Sequence, residues 1–289
     1  MCELFALSGL CPANVRLFLP KFAAHGGKVG PHVDGWGIAF YEENAALAIR
    51  EAAPAWNSEM ARFVANQTIF STTVIAHIRK ATGNTAVALR NTQPFVRELA
   101  GRDHVFAHNG NVPGILSSGQ FPLTNFHPVG ETDSEHAFCY LLDRLHPLWE
   151  GGAPPVEERA RVVHQVARML AGFGPSNFLY SDGDYLYAFS HRRLHDNKPP
   201  PRAPGLHWLH RVCEVAAPRP HAEGLDIRSS EAQEEQRVVL LASVPLTDEP
   251  WQPMEEGSLL VLRNGAMLSV DGERGATDYK LQIDERTQP

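Results

Sequence analysis

Two long amphipathic helices, bracketed on both sides by runs of short strands, set the tightest limit on what this chain can build. Thr132-Asp133-Ser134-Glu135 reads as a capping box, in which the Thr hydroxyl and the Glu carboxylate each satisfy a free backbone donor. The helix behind it buries Phe138, Leu141, Leu142 and Leu145. A second helix, from about Val156, places Val156, Ala160, Val163, Ala167 and Leu170 on one face and stops at Gly172. Ahead of the pair, residues 3–10, 35–41, 45–51, 70–78 and 104–107 read as strands, with a helix capped by Asn57 or Ser58 and running through Gln67. Beyond it, residues 178–181 and 185–190 flank the hairpin signal Asp182-Gly183, 206–212 and 237–244 are strands, and 259–263 and 266–270 flank Asn264-Gly265. Strands before and after a central helix pair predict an α+β fold of two sheets sandwiched by helices, in a single domain over residues 2–289. The Pro-rich stretch 196–205 and the charged stretch 214–236 read as surface excursions, because strands resume after each.

Composition narrows the function classes. A chain 43% hydrophobic and 20% charged is an ordinary globular protein, and its 289 residues can bury a sizeable core. A net charge of −7, with no basic stretch beyond Arg192-Arg193, argues against nucleic acid or an anionic membrane as partner. No apolar run approaches the ~18 residues of a membrane span. Leu4 to Leu10 lacks the positive flank and cleavage site of a signal peptide, so the chain is expected to begin where the fold begins and to reside in the cytoplasm. Cys2, Cys11, Cys139 and Cys213 share no CxxC spacing, so reduced thiols are expected. His191 and His195, like His207 and His210, have metal-like spacing, but no HExxH or Cys pair accompanies them; no metal or other cofactor is expected.

Four features carry chemistry. Cys2 is small enough to let Met1 be removed, which would leave a terminal cysteine with its own α-amine beside its thiol. Nucleophile and general base then share one residue. His108-Asn109-Gly110 follows the strand ending at Ala107, and an Asn amide with the next backbone N–H can converge on a developing oxyanion. Arg79 follows a strand, where its guanidinium fork can grip a carboxylate. Asp133, in the first turn of a capped helix, is favoured by the helix dipole and can accept from an ammonium.

Taken together, Met1-Cys2-Glu3-Leu4, His77-Ile78-Arg79-Lys80-Ala81-Thr82, Asn91-Thr92-Gln93-Pro94-Phe95, His108-Asn109-Gly110-Asn111 and Glu131-Thr132-Asp133-Ser134-Glu135 resemble the class II glutamine amidotransferases, which are N-terminal-nucleophile glutaminases. The resemblance is strongest to bacterial stand-alone members. It includes Gly30-Pro31-His32, Asp34-Gly35-Trp36-Gly37 and the Ser181-Asp182-Gly183 hairpin, and covers most of the chain. It implies the four-layer αββα sandwich of N-terminal-nucleophile hydrolases. It also implies that Cys2 attacks the glutamine side-chain amide to release ammonia and glutamate, with Asn109 and the Gly110 N–H as oxyanion hole. Arg79 would bind the substrate α-carboxylate and Asp133 its α-ammonium, with Thr82 a further contact. The sequence departs from the family where Gln93 replaces a frequent His, His25-Gly26 replaces Arg-Gly, and Lys80 stands where many members carry an aromatic residue. Leaving-group specificity is expected in the loop Lys80 to Asn84 and at Gln93. No ammonia-consuming domain fits in the chain, so a separate synthase is the expected acceptor if ammonia is transferred. Two other readings keep the pocket: hydrolysis of a γ-glutamyl amide in a peptide-like metabolite, or a non-catalytic amino-acid sensor. A sensor has no need of the terminal thiol.

Overall fold

The computed structural model describes residues 1–16, 18–83, 85–214, 221–222, 225–227, 235–270 and 281–283. One sheet holds β1 (Glu3–Asn14), β2 (Trp36–Glu42), β3 (Ala45–Glu51), β4 (Ser71–Ile78), β11 (His207–Glu214), β12 (His221–Ala222), β13 (Leu225–Ile227), β14 (Glu235–Ala242) and β15 (Gln252–Pro253). Its main path runs β15-β11-β14-β1-β4-β2-β3, so β1 lies at the centre. The second sheet holds β5 (Phe95–Leu99), β6 (Arg102–Gly110), β7 (Ser176–Ser181), β8 (Leu186–Phe189), β16 (Leu259–Arg263), β17 (Ala266–Val270) and β18 (Leu281–Ile283), in the order β18-β17-β16-β8-β7-β6-β5. β9 (Arg193–His195) and β10 (Lys198–Arg202) form a separate hairpin. Among the described residues four α-helices complete the fold: α1 (Leu19–His25), α2 (Glu59–Ala65), α3 (Asp133–Trp149) and α4 (Val156–Ala171).

The strand period of two sorts side chains into three apolar layers. Leu4, Ala6, Ala39 and Ile75 from the first sheet meet Val105, Ala107, Leu179 and Leu260 from the second in the inter-sheet layer. Phe5, Leu7 and Val74 point the other way, under Phe18, Phe22 and Val64 around the short helices α1 and α2. On the opposite side Phe106, Phe178, Tyr180 and Phe189 pack against Phe138, Leu141, Leu142 and Leu145 of α3 and Val163 and Leu170 of α4. Each large side chain so buried contributes about 1.5–3 kcal/mol over its exposed state. The result is the αββα sandwich that the sequence resemblance implies.

Most elements fall where the sequence places them, with instructive exceptions. The α3 box closes on one side only: Thr132 Oγ1 accepts from Glu135 N at 3.1 Å, but the Glu135 carboxylate accepts from Val129 N and Gly130 N and pairs with Arg97. The α2 cap is Ser58, whose Oγ accepts from Ala61 N at 2.9 Å. The strand expected at 104–107 runs from Arg102 to Gly110, so Asn109 and Gly110 belong to it and do not follow it. Its partner β5 and the helix α1 fall in stretches that carried no such expectation. Within the excursion 196–205, residues Lys198–Arg202 form β10. Of the excursion 214–236, most lies outside the described residues; Leu225–Ile227 pairs with the end of β1, Ala13 opposite Ile227.

Candidate active site

Strand register brings the sequence-predicted residues to one end of the sandwich. In the β1–β4 ladder Glu3 faces Ile78, which sets Cys2 beside Arg79 and Lys80. Lys80 N donates to Cys2 Sγ at 3.4 Å, and the thiol faces Lys80 O at 3.5 Å. Parity completes the placement. Cys2 shares the face of Leu4 and Ala6, Arg79 that of Ile75, and Asn109 that of Val105 and Ala107, so all three point into the inter-sheet layer.

Each side chain has a different local support. Arg79 is 3% exposed. Its backbone N–H donates to Gly35 O at 2.7 Å, and its Nη1 donates to Asp34 O at 3.3 Å. Asp34 Oδ2 accepts from Ala81 N at 2.8 Å, so Asp34 braces both ends of the Arg79–Ala81 segment. Among the described residues no carboxylate pairs with the Arg79 guanidinium; a buried cation lacking a counter-charge is costly unless a ligand supplies one. Asn109, wholly buried, donates from Nδ2 to Ser243 Oγ at 3.2 Å, and its Oδ1 has no partner among the described residues. Ser243 Oγ also accepts from Leu4 N at 3.1 Å and so ties the oxyanion candidate to the strand that follows Cys2. A Cβ at Gly110 would lie 2.2 Å from Pro175 O, so only glycine fits there. Asp133 Oδ2 accepts from Val112 N at 2.8 Å and Oδ1 from Ser134 N at 2.7 Å, which fixes the carboxylate beside the loop after β6. Thr82 is exposed and, with Asp133, Asn111 and Gly114, lines a cleft of about 530 Å³.

Burial pushes the Cys2 thiol above its ordinary value, against the Lys80 N–H, the chain-terminal ammonium and Arg79, with Asp133 acting in the same direction as burial. The thiol therefore rests protonated and needs a base to become a nucleophile. The same cause lowers the Met1 α-ammonium, with Lys80 and Arg193 adding to it and Cys2 and Glu3 opposing. Cys11 and Cys139 are buried, and burial pushes Cys139 up to about 12. The Cys213 side chain lies outside the described residues.

A second cleft, of about 470 Å³, opens on the Met1 side of Cys2 and is lined by Met1, Glu3, His25, His32, Arg193 and His207 among others. Here His25 finds its use: its Nδ1 makes a very short contact with the Glu3 carboxylate, and His32 Nδ1 lies 3.2 Å from His25 O. Burial alone would raise the Glu3 carboxyl, but His25, His32 and Arg193 together hold it below the usual carboxylate value. Gln93 is committed elsewhere, its Oε1 accepting from His108 N at 2.5 Å, and Asn84 lies outside the described residues. His191, His195, His207 and His210 assemble with no third ligating side chain; among the described residues no group of three or more His, Cys, Asp or Glu side chains could hold a metal ion. No helix of the described residues is long and apolar enough to cross a membrane. Asp34, Ser243 and Arg193 were not among the expected site residues. Asp34 sat inside a recognised motif, whereas Ser243 and Arg193 reach the site from far along the chain with no local pattern to mark them.

An αββα sandwich of two facing sheets between helix layers is the fold type of the N-terminal-nucleophile hydrolases. The profile of the family described as "Glutamine amidotransferases class-II" matches residues 1–285. The chain is 36% identical over 262 residues to "Putative glutamine amidotransferase YafJ" of Escherichia coli (strain K12), covering 89% of this chain and 95% of that protein. The chain belongs to the class II glutamine amidotransferase family. Among solved structures it is similar to a "predicted glutamine amidotransferase" from Pseudomonas aeruginosa PA01, with TM-score 0.63, 31% identity and coverage of 93% of this chain and 100% of that one. It shares its fold with the glutamine phosphoribosylpyrophosphate amidotransferase of B. subtilis, at TM-score 0.58 and 15% identity over 96% of this chain and 50% of that one.

Proposed function

We propose that this protein is an amidohydrolase that cleaves the side-chain amide of glutamine or a γ-glutamyl compound, with Cys2 as nucleophile after removal of Met1. The observation that carries the reading is the convergence of a protonated thiol, a buried arginine with no acidic partner among the described residues and a fixed carboxylate at one end of the sandwich. The freed α-amine of Cys2 takes the thiol proton, and Sγ forms a bond to the amide carbon. Asn109 Nδ2 and the Gly110 N–H receive the negative charge that develops on the carbonyl oxygen. The amine then passes its proton to the leaving nitrogen, and the C–N bond breaks. Ammonia or an amine departs and leaves a γ-glutamyl thioester. Water, deprotonated by the same amine, releases glutamate and restores the thiol. Arg79 and Asp133 hold the α-carboxylate and α-ammonium of the glutamyl end, beside Thr82.

Intact-mass measurement should show the purified protein lacking Met1, and 6-diazo-5-oxo-L-norleucine should add covalently at Cys2. Cys2→Ala should abolish amide hydrolysis while the fold persists. An adduct at Cys11, Cys139 or Cys213 with Cys2 untouched, or full activity in a protein whose N-terminus stays blocked, overturns the reading.

A further inference from the structure

The proton path assigns the two clefts to the two halves of a substrate. If the α-amine of Cys2 protonates the leaving nitrogen, that nitrogen must sit next to the amine. The amine occupies the position where the chain now continues into Met1. Whatever is attached to the leaving nitrogen therefore projects toward the cleft that Met1 lines, away from the cleft of Thr82 and Asp133. The two clefts have no lining residue in common.

The chemistry of the Met1-side cleft is specific. Arg193 is 8% exposed and spends one donor, Nη1 to Ser243 O at 2.7 Å. Its Nε is buried with no partner among the described residues, and no carboxylate forms an ion pair with its guanidinium there. The cleft lining holds two acidic residues, Glu3 and Asp196, whose charges act on Arg193, but neither forms an ion pair with it among the described residues, and Glu3 is occupied by His25. His207 Nδ1 is likewise buried without a partner among the described residues. The cleft already accommodates an unbranched side chain, because the Met1 thioether sits within reach of the Leu194 N–H, Sδ to N 3.0 Å. A buried guanidinium with an unpartnered Nε and no ion pair among the described residues, in a partly desolvated cleft, calls for an anionic, forked acceptor.

We propose that this cleft is a leaving-group site in which Arg193 binds a carboxylate, so that the substrates are γ-glutamyl derivatives of amino acids or short peptides. The inference rests on the nucleophile assigned above. Hydrolysis then yields glutamate and an amino acid or peptide whose new amine carries the proton delivered by the Cys2 α-ammonium. Glutamine, whose leaving group is ammonia, would use only the first cleft.

The test compares γ-glutamylglycine with γ-glutamylglycinamide, which differ by the charge of the leaving group at nearly constant size. On the mature protein the ratio of their kcat/KM values should be about tenfold or more in favour of the carboxylate, the scale of one desolvated charge-assisted contact. Arg193→Gln should bring that ratio to within about threefold of unity, and Arg193→Lys should retain part of the preference, since a point charge replaces the fork. Because Arg193 also holds Ser243 O, absolute rates in these variants can fall; a purely structural role would lower both substrates together and leave the ratio intact. Arg192→Gln, at an exposed position paired with Glu256, is the control and should keep the wild-type ratio. A wild-type ratio near unity, or one that survives Arg193→Gln, overturns the inference. Calorimetric binding of the same two compounds to Cys2→Ser protein separates this failure from failure of the hydrolase reading. Charge-dependent binding lost in Arg193→Gln supports the site even if nothing is turned over, and equal binding of both compounds refutes it.

Discussion

The two sheets bring different kinds of group to the same end of the sandwich. Those from the first sheet are held by backbone and keep their side-chain capacity unspent. Cys2 Sγ meets the Lys80 backbone, and among the described residues the side chain of Arg79 bonds only to a carbonyl. Those from the second sheet and α3 are pinned by side-chain bonds: Asn109 through Nδ2 to Ser243, though its Oδ1 has no partner among the described residues, Asp133 to Val112 N and Ser134 N, His108 to Ser134 and Ser176. A group whose polar atoms are satisfied by the protein is a scaffold that also serves the site, whereas one left unsatisfied is waiting for a ligand. The comparison predicts that substitutions on the first sheet cost activity alone, and substitutions on the second cost activity and stability together.

Asn109→Ala breaks the comparison if it is wrong, and carries the largest effect. Loss of one oxyanion donor lowers kcat by about 10²–10³-fold. Loss of the Nδ2 bond to Ser243 should also lower stability by about 1 kcal/mol, read as a shift in the urea midpoint at constant slope. Wild-type kcat in this variant would remove Asn109 from the oxyanion hole.

Arg79→Ala and Asp133→Ala sharpen it as a pair. If Arg79 and Asp133 hold the glutamyl end as proposed, removing either charge should lower kcat/KM by roughly 30-fold or more, equally for glutamine and for a larger γ-glutamyl amide, since both share that end. Their stabilities should diverge. Arg79→Ala removes a buried cation with no acidic partner among the described residues and should unfold at the wild-type urea midpoint or above it. Asp133→Ala orphans two backbone donors near the start of α3 and should cost about 1–3 kcal/mol. Equal stability of the two variants would erase the distinction between the sheets. A variant that keeps wild-type kcat/KM on both substrates shows that its residue is structural.

How much of this was legible in the sequence follows the same division. Local signals were readable: the Thr132 cap, the amphipathic faces of α3 and α4, the Asn264-Gly265 turn with φ of +52° and +70°, and the short runs around Cys2 and Arg79. Helix α1 was not, because seven residues entered from Phe18 without a side-chain cap carry too little periodicity to declare themselves. Strand β5 was hidden by Gln93-Pro94, although Phe95 and Leu99 alternate and Ala100-Gly101 turns with φ of +54° and +77°. Long-range partners were beyond reach of any local pattern. Ser243 meets Leu4 and Asn109, and Arg193 meets Ser243, only once β14 has paired with β1.

The smallest effect concerns two buried histidines that repeat the contrast away from the chemistry. His77, on β4, is wholly buried with neither ring nitrogen hydrogen-bonded among the described residues, and burial, aided by His108 and Arg79, takes it down to about 3. His104, on β6, lies with Nδ1 2.6 Å from Tyr180 Oη, and burial takes it to about 4. Both values lie below the ordinary histidine value of about 6.5, so between that pH and the folded value the unfolded chain binds a proton that the native state refuses. Stability is therefore full above about pH 6.5 and falls by about 1.4 kcal/mol per pH unit for each histidine as the pH drops, levelling off only below the folded values. His77→Phe should flatten the decline between pH 6 and 5 by about that amount, with little change at pH 7.5, because among the described residues neither ring nitrogen has a hydrogen-bond partner to orphan. His104→Phe should flatten it equally but cost about 1–3 kcal/mol at pH 7.5, since the buried Tyr180 hydroxyl loses its partner. Urea midpoints of both variants across pH 5 to 7.5 read the difference directly. Parallel losses at neutral pH would show that His77 has a native partner after all and that the first sheet is as tightly bonded as the second.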